Sequence, residues 1–146
     1  MRRNAGFTLI EVVLVLVIAA AAYALVISTT YRGTSTADLK AAARTLASGL
    51  RQAQTLAMTS RRDMALTIDL ESREFTVTGD TSVHQLPKEL DLKLYTAQTE
   101  VTSERRGAIR FYPDGSSTGG RVTVASGERK YLVDVDWLTG RVSIQD

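Results

Sequence analysis

Gly6-Phe7-Thr8-Leu9-Ile10-Glu11 opens the longest apolar run of the chain, and Glu11 is the one charge inside it. Between residues 7 and 31 no other side chain is charged at neutral pH, and the twenty residues 12–31 follow the Glu without a charge. A run of that length can span a bilayer as a helix. A carboxylate within such a span costs about 2.5–3.5 kcal/mol near the bilayer centre and less toward the interface. That cost makes Glu11 a functional candidate. The plainer reading is a signal-anchor helix with a tolerated interfacial Glu.

The six residues before the run, Met-Arg-Arg-Asn-Ala-Gly, are short, basic and end in Gly. A secretory signal has its small-residue cut site after the apolar core. Here the candidate small residue, Gly6, precedes the core, so a cut after it keeps the hydrophobic helix. Arg2 and Arg3 hold the leader on the cytoplasmic side. This arrangement resembles the N-terminus of type IV pilins and of type II secretion pseudopilins. The resemblance implies cleavage between Gly6 and Phe7 by a prepilin peptidase, then methylation of the new Phe7 amine. It also implies an assembly role for Glu11.

With 146 residues and no Cys, one membrane segment and one small domain are the natural division. Roughly 115 residues remain after the leader and span, enough for one modest core. The absence of Cys removes disulfides, thiolate nucleophiles and Cys-based metal sites. The net charge of +2 shrinks once the leader is set aside. Taking Arg2 and Arg3 from the 18 basic residues leaves 16, which match the 16 acidic ones. A neutral mature chain makes no general electrostatic case for nucleic acid.

Leu39, Ala43, Leu46, Leu50, Ala53 and Ala57 recur at steps of four and three, one apolar stripe on an amphipathic helix. Lys40, Arg44, Arg51 and Gln52 fall largely off it. Read together with the apolar run, the pattern predicts one long helix from Thr8 to about Ser60, and whether Gly33 bends it is not set by the sequence. Gly33 and Gly49 each weaken it by about 1 kcal/mol against Ala. After Arg61-Arg62-Asp63 the period becomes two. Met64, Leu66, Ile68 and Leu70, then Phe75 and Val77 across Glu71-Ser72-Arg73, predict a hairpin. Leu90, Leu92 and Leu94 predict a strand, as do Ile109 and Phe111 before the turn Pro113-Asp114-Gly115. Val122 and Val124, then Tyr131, Val133 and Val135, predict a second hairpin, with Trp137 in phase and at least partly covered. Val142 and Ile144 make a last strand. Residues 79–88 and 97–107 read as loops. The expected class is α+β: a long N-terminal helix packed on antiparallel strands. The divisions are a leader 1–6, a membrane or fibre-core helix 7–31, its amphipathic continuation 32–62 and a β-rich domain 63–146.

Few residues could carry chemistry. His84, the only His, falls in a predicted loop and reads as exposed. No nucleophile–base set and no phosphate loop can be placed. Ser116-Ser117-Thr118-Gly119-Gly120 reads as a flexible connection. Asp134 and Asp136, two apart, could offer oxygen ligands to calcium, but a solvated strand face gives the same pattern and is preferred. Arg105, Arg106, Arg110, Arg121, Arg129, Lys130 and Arg141 make the C-terminal part locally basic, offset by Glu104, Asp114, Glu128, Asp134 and Asp136.

The Ala-rich stretch with Ala42, Arg44 and Ala53, the segment Phe111-Tyr112-Pro113-Asp114-Gly115-Ser116 followed by Gly119-Gly120, and Thr139-Gly140-Arg141-Val142 resemble the GspH/FimT group of minor pseudopilins. The resemblance implies a non-enzymatic structural subunit of the type II secretion pseudopilus, near the fibre tip, with no metal or cofactor. Its partners would be the prepilin peptidase, the other minor pseudopilins, the major pseudopilin and the bacterial inner membrane, with the C-terminal domain periplasmic. The alternative is a FimT-like minor pilin that captures DNA. Such members carry a second Arg after the Gly-Arg pair, whereas Gly140-Arg141-Val142-Ser143 lacks it, which argues against DNA.

Overall fold

The computed structural model describes residues 8–30 and 35–146, with side chains for 8–23 and 35–146. The chain divides into two compact units, residues 1–33 and 34–146.

In the first unit, helix α1 covers Leu9–Thr30, 22 residues. It is apolar all round, a pattern that cannot hide one face in a small core. Accordingly Leu9 through Ile18 are exposed, apolar side chains included. Among the described residues no helix is long and apolar enough to cross a membrane, as the stretch of α1 with described side chains stops at Tyr23.

In the second unit, helix α2 covers Thr36–Ser60. Its start is built by Ser35, whose backbone is extended (φ −66, ψ 154). The Asp38 amide donates to the Ser35 hydroxyl oxygen at 3.2 Å, and the Ser35 amide donates back to the Asp38 carboxylate at 3.2 Å. This reciprocal cap satisfies helix-start amides that a continuous helix would have bonded to the preceding turn. The single helix expected from Thr8 to Ser60 is therefore broken at Ser35. Gly33 lies outside the described residues.

The stripe behaves as its spacing requires: Leu39, Ala43, Leu46, Leu50, Ala53 and Ala57 are all buried. They pack on two antiparallel sheets. One sheet has the order β3-β2-β1-β6-β5, formed by β1 Met64–Asp69, β2 Glu74–Val77, β3 Val83–Gln85, β5 Val101–Ser103 and β6 Arg106–Phe111. The other has the order β4-β7-β8-β9, formed by β4 Asp91–Thr96, β7 Gly120–Ser126, β8 Arg129–Val135 and β9 Val142–Gln145. Both predicted hairpins form. Ile68 opposes Phe75 in the first, and Val122 opposes Val133 in the second. Strands β1, β2, β6, β7 and β8 send residues inward, so Leu66, Ile68, Phe75, Val77, Ile109, Phe111, Val122, Val124, Val133 and Val135 complete the core.

Gly49 has a packing role beyond its helix-weakening effect. A Cβ there would lie 2.6 Å from Cε2 of Phe75 and 3.0 Å from Cδ1 of Leu66. The missing side chain lets α2 approach β1 and β2.

Several expectations are corrected. Residues 79–88 contain β3, and residues 97–107 contain a 3₁₀ turn (Gln98–Glu100), β5 and the start of β6. These are three-residue edge strands, too short to show a period. His84 is not an exposed loop residue. It is half-buried on β3, its ring stacked on Phe75 with centroids 4.9 Å apart, and its Nε2 is buried without a hydrogen-bond partner. Trp137 is not covered by the sheet. The β8 ladder stops at Val135, and Trp137 is 66% exposed in the turn beyond it.

Two substitutions test this packing in urea melts of the full chain. Leu46→Ala should cost about 2–5 kcal/mol, because the site cannot collapse around the lost methyls. Gly49→Ala should cost about 1–3 kcal/mol through overpacking against Phe75, despite the better helix propensity of Ala. A loss below about 1 kcal/mol for Leu46→Ala would place the stripe outside the core.

Candidate assembly and docking site

The N-terminal candidates divide between described and undescribed residues. Gly6 and Phe7 lie outside the described residues. Glu11 lies in the first turn of α1, and its side chain is exposed. Thr8 precedes the helix, and its carbonyl accepts from the amides of Glu11 at 3.1 Å and Val12 at 3.3 Å. A carboxylate in a first turn sits where the unpaired amides and the helix dipole favour negative charge. Around it Leu9, Ile10, Val12, Val13 and Leu14 present an unbroken apolar surface. The local arrangement is thus one charge at a helix start, surrounded by groups that prefer an apolar environment.

In the second unit the basic residues of the C-terminal part are largely neutralised, mostly by carboxylates distant in sequence. Arg106 pairs with Asp69 at 2.7 Å, Arg105 with Glu71 at 2.8 Å, Arg110 with Glu100 at 2.9 Å and Arg121 with Asp134 at 2.5 Å. Arg129 is joined to the Thr36 hydroxyl. Sheet register sets two of the pairs, because Asp69 opposes Arg106 and Arg121 opposes Asp134. The Arg110–Glu100 pair is the most enclosed, with two hydrogen bonds (2.9 and 3.1 Å) and a Glu100 side chain only 8% exposed. Its hydrogen bonds to Glu100 raise the Arg110 pKa further. The exposed Arg105–Glu71 pair contributes little, since solvent screens it. Four of the seven basic residues singled out by the sequence are thus ion-paired and offer no continuous cationic surface.

Asp134 and Asp136 do not share a solvated strand face. Asp134 is half-buried in its pair with Arg121. Asp136 lies past the end of β8 and accepts from the amides of Leu138 (3.1 Å) and Thr139 (2.8 Å) and from the Thr139 hydroxyl (2.8 Å). Both carboxylates are occupied, and among the described residues no group of three or more metal-ligating side chains comes together.

The segment read as a flexible connection is tied at several points. The Ser117 amide donates to the Trp137 carbonyl (2.8 Å), and its hydroxyl donates to the Asp136 carbonyl (3.1 Å). The Gly119 amide donates to the Ser117 hydroxyl oxygen (2.9 Å), and the Thr118 amide to the Arg110 carbonyl (2.9 Å). From α2 the Gln54 amide donates to the carbonyls of Gly115 (3.0 Å) and Thr139 (3.1 Å). The helix, the 113–120 segment and the Asp136 turn are one hydrogen-bonded assembly. It presents Trp137 (66% exposed) and Leu138 (63%) to solvent, beside Tyr95 (78%) at the end of β4. Sequence reasoning singled out neither Tyr95 nor Leu138, and read Trp137 as in phase with the strand. A run of two apolar residues after Asp136 was the available signal, hidden by the strand phase.

The pKa pattern follows from the same turns. The Ser72 amide, then the Arg106 guanidinium, hold the Asp69 carboxyl down to about 2. The Thr139 amide and hydroxyl lower that of Asp136. A depressed folded pKa stabilises the fold above the unfolded value, near about 4, and that contribution is lost as pH falls through the folded value. The melting temperature should therefore fall between about pH 4 and pH 2. Asp69→Asn should flatten that decline, measured by circular dichroism melts across the range. An unchanged acid limb in Asp69→Asn would contradict the assignment.

A family model described as type II transport protein GspH matches residues 42–139, and one described as prokaryotic N-terminal methylation motif matches residues 1–23. The chain is 30% identical to the type II secretion system protein H of Xanthomonas campestris pv. campestris over 141 residues, 97% of this chain and 83% of that protein. Among solved structures, the minor pseudopilin EpsH from the type 2 secretion system of Vibrio cholerae is similar at a TM-score of 0.59 and 15% identity, over 74% of this chain and 96% of that one. The type IV minor pilin FimU of Pseudomonas aeruginosa is similar at a TM-score of 0.58 and 16% identity, over 77% and 92%. At those identities the two structures speak for a shared fold.

Proposed function

The chain belongs to the GspH family of type II transport proteins, and from that premise we propose that it is a minor pseudopilin, a structural subunit that assembles through its N-terminal helix. The observation that carries this reading is the methylation motif over residues 1–23 together with an all-apolar α1 whose first turn holds one carboxylate. The proposed boundaries are a leader at 1–6, a membrane or fibre-core helix at 7–31, a continuation at 32–62 and a periplasmic domain at 63–146. The break at Ser35 falls inside the third of these.

Before assembly the chain crosses the inner membrane once. The support is length and composition. The 22 residues of α1 extend about 33 Å at 1.5 Å per residue, against a hydrocarbon core of about 30 Å. Arg2 and Arg3 keep the leader cytoplasmic. A prepilin peptidase cuts between Gly6 and Phe7, and the Phe7 amine is methylated. The helix then moves from lipid into a short helical fibre. There Glu11 meets the Phe7 ammonium of a neighbouring subunit. Each charge alone is costly in low dielectric, and pairing cancels most of that cost. The pair sets register and order of assembly more than it adds stability.

The neighbours are the other minor pseudopilins and the major pseudopilin, and the place is near the fibre tip, where the fibre supports export of folded proteins through the outer membrane. Catalysis has no part in this reading. DNA capture is disfavoured by the ion-paired arginines and by Val142 and Ser143 where a second Arg would stand.

Glu11→Leu separates assembly from anchoring. Cleavage and membrane insertion should remain normal. Recovery of the subunit in sheared fibres should fall sharply, because the neighbour's ammonium is left buried without a partner, at about 3–5 kcal/mol. Glu11→Gln should be intermediate. Normal incorporation of Glu11→Leu would reduce Glu11 to a tolerated charge.

A further inference from the structure

We propose that the free edge of β9, with the row of cations beside it on α2, docks an acidic, extended polypeptide segment that adds to the sheet as a further strand. This contact belongs to the folded domain alone and does not depend on the assembly reading above.

Strand β9 ends its sheet, pairing with β8 on one side only. The Asp136 amide donates to the Arg141 carbonyl at 3.0 Å, which makes these two a hydrogen-bonded pair just before the β8–β9 ladder. Alternation along an antiparallel ladder then turns the backbone groups of Ser143 and Gln145 toward β8. The amides and carbonyls of Val142 and Ile144 point the other way, out of the sheet. The Val142 carbonyl accepts from Nη2 of Arg51 at 3.2 Å. The others form an open edge that a new strand can complete.

Lys40, Arg44 and Arg51 are exposed. At about 100° per residue they fall within about 40° of one another around α2, a single row on the flank where Arg51 meets β9. Row and strand run side by side. Arg51 is joined to Val142, and Thr36 at the start of α2 is joined to Arg129 at the start of β8. Because β9 is antiparallel to β8, it leads from Arg51 back toward the Lys40 end of the helix. Lys40 and Arg44 are about 6 Å apart along the helix. Side chains on one face of a strand recur every 6.6 Å or about that. Carboxylates at alternate positions of an added strand therefore match the row.

Charge selects the class of occupant. Among the described residues none of the three cations is ion-paired, in contrast to four arginines of the sheets. Asp38, the one carboxylate on α2, accepts from the Ser35 amide and hydroxyl, and Asp146 beyond β9 pairs with none of the three. Arg51 has a double part. It holds the carbonyl that an incoming amide takes, and once displaced its guanidinium is available to a carboxylate. The open edge decides between two kinds of anion. An extended peptide presents alternating amides and carbonyls to Val142 and Ile144, and nucleic acid does not.

The full chain in detergent micelles is panned against a display library of short random peptides. The expected binders carry Asp or Glu at alternate positions. The strongest is synthesised, and its binding is followed by fluorescence anisotropy. Lys40→Glu together with Arg44→Glu should weaken it about ten-fold or more. Salt at about 1 M should do the same, since the screening length is then about 3 Å. Both side chains are exposed, so the melting temperature should stay near wild type. Lys93→Glu, exposed on β4, should leave binding unchanged. N-methylating alternate amides of the peptide tests the strand itself: the register that faces β9 should lose binding, and the other should keep it. No binders, binders without alternate carboxylates, or binding that survives the charge reversal would overturn the proposal. So would binding that survives N-methylation in both registers, or a poly-dT oligonucleotide that binds as tightly as the peptide.

Discussion

Everything in the folded domain depends on one face of α2. Leu39, Leu46 and Leu50 are buried on that face together with a row of alanines, and strands of both sheets close on it. Each sheet has a polar outer side and needs cover on its inner one. Burying a Leu side chain fully is worth about 1.5–3 kcal/mol, whereas an exposed ion pair is worth about 0–1 kcal/mol. The helix stripe and the inward residues of β1, β6, β7 and β8 therefore decide the fold, and the four ion pairs trim its surface. Alanines and Gly49 bring the helix close, so the core is made by short reach more than by large side chains.

The chain handles apolar surface in two ways, and the division accounts for its function. On α2 the apolar residues occupy one side and are consumed inside the domain. On α1 they go all round and stay exposed, which leaves lipid or neighbouring helices to cover them. In the assembly proposed here, a single carboxylate in that helix would convert generic hydrophobic burial into an oriented contact, because only a position with a partner for the charge is satisfied. In the domain, four arginines are paired with carboxylates, while Tyr95, Trp137 and Leu138 stay exposed.

Much of this was legible in sequence where a period could be counted. The four-three stripe from Leu39 to Ala57 placed the buried face of α2, and alternation placed both hairpins. Two kinds of feature were not legible. Short edge strands, β3 and β5, carry too few residues to alternate. Three of the four ion pairs join residues more than ten apart and follow from the fold: Asp69 meets Arg106 only because β1 and β6 pair in one register. The break at Ser35 had a signal, Ser35 followed three residues later by Asp38, but the apolar pattern resumes at once and suggested continuity. Trp137 was carried along by the strand phase. Asp136 in fact ends the ladder, accepting from the Gly140 amide at 2.8 Å. The processing residues Gly6 and Phe7 were read from the motif itself and lie outside the described residues.

The account stands on the N-terminus being remade before assembly. The most direct measurement is intact-mass and N-terminal peptide mass spectrometry of the protein extracted from membranes of its own cells. The predicted species begins at Phe7 and carries one methyl group on its amine, and Gly6→Val retains residues 1–6 because a bulkier residue does not fit a small-residue cut site. A wild-type protein that still begins at Met1, or one cut after the apolar run, would contradict the account.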